Sequence, residues 1–116
     1  MNRTISRQSL HAMIESGRPP VIVEALGEGY YVKGHLPGAI NIPHDQVRAL
    51  APELLPDKSA AIVTYCASAT CQNSHIAADT LRAMGYTNVS VYVEGKQDWA
   101  DAGLPLETGK PATRAA

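Results

Sequence analysis

Short apolar runs alternate with amphipathic stretches along this chain, predicting strands and helices in turn and a mostly parallel sheet covered on both faces. Thr4 and Ile5 read as a brief first strand. Ser6 suits an N-cap for a helix carrying Leu10, Met13 and Ile14 on one face and ending near Gly17. Pro19 and Pro20 break the chain before Val21, Ile22 and Val23, a buried strand by its β-branched content. Residues 27–34 are loop or short helix, with Tyr30 and Tyr31 packing inwards. Pro37 and Gly38 signal a turn before an extended piece at 39–40, and a short helix over 46–50 is closed off by Pro52 and Pro56. Residues 60–65 form a buried strand, followed by a helix over 72–84 with Ile76, Ala77, Leu81 and Met84 on one face and Gly85 beyond its end. Residues 89–93 alternate as a last strand, and 96–102 form a short helix before Gly103. Residues 1–107 thus read as one domain, and 108–116 as a polar C-terminal tail expected to be disordered.

Length and charge narrow the function classes. One domain of 116 residues is long enough for a core, and a net charge of −1 gives no electrostatic reason to bind nucleic acid or acidic membranes. No apolar run approaches a bilayer span, and residues 1–17 lack a signal-peptide core, so the expected location is cytoplasmic. Thiols stay reduced there unless they are working. Two cysteines five positions apart resemble a working pair more than a disulfide framework.

The candidate chemistry sits where the central strand ends. Cys66 follows Tyr65 and opens the small-residue loop Ala67, Ser68, Ala69, Thr70, Cys71 and Gln72, which runs into a helix. Loop amides and a helix N-terminus converge at such a junction, stabilising a thiolate and making it nucleophilic. The plainer reading of Cys66 is a small buried apolar residue; its place after the strand, rather than inside it, favours chemistry.

Three segments in this order resemble the rhodanese homology domain. They are the stretch Gly34-His35-Leu36-Pro37-Gly38-Ala39-Ile40-Asn41-Ile42-Pro43, then Val63-Thr64-Tyr65-Cys66, then Gly85-Tyr86 through Val91 followed by Glu94-Gly95-Lys96-Gln97-Asp98-Trp99 and Gly103-Leu104-Pro105. The resemblance covers nearly everything from Ile5 to Leu106. It implies an α/β domain with a five-stranded, mostly parallel sheet flanked by helices. It also implies a sulfurtransferase in which Cys66 carries a persulfide inside a cup of amides from residues 67–71. The donor would be thiosulfate or a low-molecular-weight persulfide, and the acceptor cyanide or a thiol such as glutathione or a thioredoxin-like protein. No cofactor or metal is expected.

Several positions depart from that pattern. Where the family has Asp-x-Arg after its second strand, this chain has Glu24-Ala25-Leu26, so the usual ion-pair support is expected to be absent. The cysteine loop holds no Lys or Arg, and losing one partly buried charge partner weakens binding of a dianion such as thiosulfate by about 2–4 kcal/mol. A neutral or singly charged donor suits the loop better. Glu94 either faces the pocket or is solvated, solvation being favoured. Three roles are open to Cys71: an inert packed residue, a resolving thiol that attacks the Cys66 persulfide, or a sulfur relay or metal contact.

The same residues discriminate among rival functions. A cysteine phosphatase needs Arg six positions after its nucleophile to clamp phosphate, and that position here is Gln72. A zinc site built on Cys66, Cys71 and His75 lacks a fourth local ligand. A non-catalytic binding module of the same fold remains the alternative from another class, although the cysteine is kept. His35 is expected to bond backbone in its turn, His11 to lie on the polar side of its helix, and His44 to border the pocket. Tyr65 alternates away from Cys66 and is expected to pack, as is Trp99.

Overall fold

In the computed structural model, which describes residues 3–110, five parallel strands form one sheet in the order β1-β5-β4-β2-β3. The strands are β1 (Arg3–Thr4), β2 (Val21–Glu24), β3 (Ile40–Asn41), β4 (Ile62–Tyr65) and β5 (Val89–Tyr92). The helices are α1 (Arg7–Glu15), α2 (Glu28–Lys33), α3 (Val47–Leu54), α4 (Asn73–Ala83) and α5 (Gly95–Asp101), with one 3-10 turn at His44–Gln46. As expected, the Ser6 side chain caps α1 by accepting from the Ser9 amide.

Side chains alternate across the strands and so build two cores. Val23, Ile62, Val89 and Val91 face Val47 and Ala51 of α3 and Ala77, Ala78 and Leu81 of α4. On the opposite face Ile22, Val63, Tyr65 and Tyr92 meet Leu10 of α1, Tyr31 of α2 and Trp99 of α5. Trp99 is buried and donates its indole N–H to the Pro105 carbonyl at 2.9 Å. Both faces of β4 are therefore covered, and its carboxyl end projects Cys66 into the loop that precedes α4.

Four local expectations change. Tyr31 packs inwards and its hydroxyl donates to the Ala39 carbonyl, but Tyr30 is 64% exposed. Neighbours on a short helix point about 100° apart, so only one of the pair can face the sheet. By the same geometry Ile76, beside the buried Ala77, is 44% exposed. Pro52 lies inside α3 rather than ending it; burial of Val47, Ala51 and Leu55 outweighs the single backbone bond that proline cannot donate. His11, expected on a polar face, sets its ring edge against Trp99 at a centroid distance of 5.7 Å.

The C-terminal segment is tied down further than expected. Glu107 bridges His35 in antiparallel fashion, and the Gly109 amide donates to the Val32 carbonyl at 2.9 Å. Two exposed polar residues can be held by backbone pairing alone, which hydropathy does not register. Residues 111–116 of the expected tail lie outside the described residues.

Candidate active site

Cys66 is 1% exposed and stands one residue past the end of β4, on the α4 side of the sheet. Strand alternation explains the direction: Thr64, two residues earlier, donates its hydroxyl to the Ser74 carbonyl of α4. The Cys66 Sγ in turn lies 3.4 Å from the Ser74 hydroxyl oxygen, and Ser74 is itself buried. That hydroxyl is placed to donate to the sulfur.

The loop is held from below by α5. Backbone amides of Lys96 and Gln97 donate to the carbonyls of Cys66 and Ala67 at 2.9 and 2.8 Å. Gly95 permits this contact: a Cβ there would stand 2.6 Å from the Cys66 carbonyl oxygen and 2.9 Å from the Ser68 nitrogen, and its φ is +73°. Among the described residues, the amides of Ala67, Ser68, Ala69 and Thr70 donate to no protein acceptor. The Cys71 amide does not belong to that set, because it donates to the Ser68 carbonyl at 3.1 Å and closes the loop as a turn. Ser68 and Thr70 hydroxyls lie 3.2 Å apart and bond each other. Gln72 is the exposed residue just before α4.

Cys66 and Cys71 are joined as a disulfide, with their Cα atoms 6.3 Å apart. Cys71 is therefore not a separate packed thiol. Among the described residues no group of three or more His, Cys, Asp or Glu side chains could hold a metal ion.

A second constellation lies on the other face of the sheet, directly behind the loop. Glu24 is completely buried; it accepts a 2.6 Å bond from the Tyr65 hydroxyl and a 3.0 Å ion pair from Lys96. Tyr65 also accepts from the Leu36 amide, and burial together with the Glu24 charge pushes its phenol well above the ordinary tyrosine range. The Lys96 ammonium further donates to the carbonyls of Gly34 and Tyr30 at 2.6 and 3.2 Å, covering the end of α2. The ion-pair support expected to be missing with Leu26 is thus present, supplied by Lys96 from 72 residues away in sequence. Glu94 is exposed.

His35 behaves as its turn position predicts. Its Nδ1 lies 2.8 Å from the Tyr31 carbonyl, and its ring stacks on Tyr31 at 3.8 Å. His44 lines an open groove of about 570 Å³ with Leu26, Tyr30, Asn41, Leu50 and Asn73, at the carboxyl end of the sheet. Reading along the sequence missed Ser74, Gly95 and Lys96. The glycine alone carried a local signal, as the residue opening a helix beside the cysteine loop.

The family model for the rhodanese-like domain matches residues 6–102. The chain belongs to the rhodanese-like domain family. An HTH-type transcriptional regulator of Mycobacterium tuberculosis (Rv0324) is 35% identical over 107 residues, spanning 92% of this chain and 46% of the regulator. A candidate sulfur carrier protein of Bacillus subtilis, YrkF, is 30% identical over 95 residues, spanning 82% of this chain and 49% of its own. The chain thus spans about half the length of the curated relatives it matches. Among solved structures, a rhodanese with anions from E. coli superposes with a TM-score of 0.65 at 30% identity, covering 77% of this chain and 98% of that one. In this rhodanese-like domain the cysteine loop, α5 and the Glu24 network form one connected unit, and no helix among the described residues is long and apolar enough to cross a membrane.

Proposed function

We propose that this domain is a sulfurtransferase that carries sulfane sulfur as a persulfide on Cys66. The observation that supports it most is the placement of Cys66 at the head of a loop whose amides at 67–70 are uncommitted, with α4 and the Ser74 hydroxyl behind the sulfur. With the disulfide reduced, the Cys66 thiolate attacks the outer sulfur of a donor persulfide. The Sγ–S bond forms, the donor's S–S bond breaks, and the donor leaves as a thiol. Preorganised amide dipoles hold the terminal sulfur anion without a side-chain charge. An acceptor thiolate then attacks that outer sulfur and frees Cys66.

Charge selects among donors. Residues 66–72 hold no Lys or Arg, and the nearby Lys96 is already paired with Glu24 and two carbonyls. A dianion such as thiosulfate meets no free cation in the loop, so a low-molecular-weight persulfide such as glutathione persulfide is the preferred donor, and a thiol of glutathione or of a thioredoxin-like protein the acceptor. Steady-state transfer to a thiol acceptor tests this with both donors. Expected are transfer that requires Cys66 and a higher kcat/KM for the persulfide than for thiosulfate. Transfer undiminished in Cys66→Ser would overturn the assignment, and no sulfur uptake from either donor would leave a binding module.

A further inference from the structure

We infer that Cys71 is a resolving thiol, which gives this domain a second activity: reductive release of hydrosulfide from its own persulfide. The inference rests on the sulfur-carrier reading above and adds a fate for the carried sulfur that needs no external acceptor.

Three observations carry it. The disulfide shows that the loop brings Cys71 Sγ within bonding reach of Cys66 Sγ, and the Cα separation of 6.3 Å lies inside the range such bonds span, about 4.4–6.8 Å. Cys66 Sγ is the inner sulfur of a Cys66 persulfide, so a thiolate at Cys71 is positioned to attack that atom rather than the outer one. The amides of Ala67 to Thr70 donate to no protein acceptor among the described residues, which leaves them free to stabilise the outer sulfur as it departs with negative charge.

The step balances. The Cys71 thiolate attacks Cys66 Sγ, the Sγ–S bond of the persulfide breaks, and hydrosulfide leaves with the bonding pair and the proton released by the Cys71 thiol. The sulfane sulfur is reduced to sulfide while the two cysteines are oxidised to the disulfide seen in the structure. A dithiol reductant then restores both thiols and is itself oxidised to its disulfide.

Burial sets where that reductant attacks. With the disulfide closed, Cys66 is 1% exposed, whereas Cys71 is half-buried beside the exposed Ala69, Thr70 and Gln72. The incoming thiolate therefore joins Cys71, and Cys66 leaves as the thiolate, ready for the next donor. In the disulfide form Cys66 accepts no sulfur.

The test uses the reduced chain freed of small molecules, loaded with glutathione persulfide, freed again of small molecules, and followed by intact mass and bimane capture of hydrosulfide. Wild type should lose two hydrogens relative to its reduced form and release hydrosulfide. Cys71→Ser and Cys71→Ala should instead hold one extra sulfur and release none until dithiothreitol is added. Wild type that keeps the extra sulfur without releasing hydrosulfide would overturn the resolving role while leaving the carrier intact, as would fragment ions placing that sulfur on Cys71. Failure of both Cys71 variants, folded by circular dichroism, to gain sulfur would overturn the carrier reading itself.

Discussion

The groups within hydrogen-bond reach of the Cys66 sulfur are neutral. Among the described residues the Ser74 hydroxyl is the one side-chain donor beside it, at 3.4 Å. A bond of that length to a thiolate contributes about 1 kcal/mol, so Ser74→Ala weakens the stabilisation of the anion. The freed thiolate is more nucleophilic, which offsets part of the loss, and alkylation of reduced Cys66 by iodoacetamide at neutral pH should slow only about two- to threefold. A larger drop would show that Ser74 also positions the loop. Lys96 acts differently, through Glu24. Lys96→Met leaves a fully buried carboxylate without its cation and should cost about 3 kcal/mol in urea unfolding, with a sizeable part recovered in the double variant with Glu24→Gln. Equal losses in the single and double variants would contradict the pairing. The position of Cys66 between a strand and a helix was legible because a β-branched run before it and a helical pattern after it are local signals. Lys96 was illegible because its meaning lies in a carboxylate 72 residues away.

At the scale of elements, α5 is the platform on which the loop rests. Its first turn donates two amides to loop carbonyls, and Gly95 leaves no space between them. Gly95→Ala places a methyl against backbone and forces a left-handed conformation on alanine. Together these should remove about 2–4 kcal/mol of stability and displace the loop, measured as a lower denaturation midpoint with loss of sulfur uptake. An unchanged midpoint would mean that the loop yields freely. The inner strands β2, β4 and β5 were readable from β-branched runs, while β1 and β3 each lie one residue from their expected places. The helix α1 was readable from its Ser6 cap, and α4 from its apolar spacing and Gly85. The faces of Tyr30 and Ile76 were not, because adjacent apolar residues on one helix compete for a single buried direction. Nor was the passage of Pro52 through α3, where packing overrides a local breaker.

For the whole molecule, a parallel sheet covered on both faces directs its strand-to-helix loops to one end, and that end carries Cys66, the groove and the Glu24 network. The core on the α1 and α5 side of the sheet is latched by Asp98 of α5, which accepts from the Tyr92 hydroxyl at 2.6 Å and pairs with Arg7 of α1 at 2.9 Å. The Tyr92 bond first, and then Arg7, hold the Asp98 carboxyl below the usual carboxylate range. Its contribution is therefore complete above the unfolded value of about 4 and fades as pH falls through the lower folded value. Asp98→Asn should lose about 1–2 kcal/mol at neutral pH and show a shallower decline of stability below about pH 4. A wild-type and variant difference that does not narrow in acid would contradict this latch. The fold class was legible because alternation of strand and helix leaves few topologies, whereas the disulfide was not, since loop geometry and not spacing brings the sulfurs together.

The most direct test of Cys66 as sulfur carrier is a pulse and chase with radiolabelled sulfane sulfur on reduced Cys71→Ser, which cannot discharge by forming the internal disulfide. The label should appear on Cys66 alone, move to an added thiol, and be absent when Cys66 is also replaced by serine. Label bound equally without Cys66, or no label on a folded protein that retains it, would contradict the account.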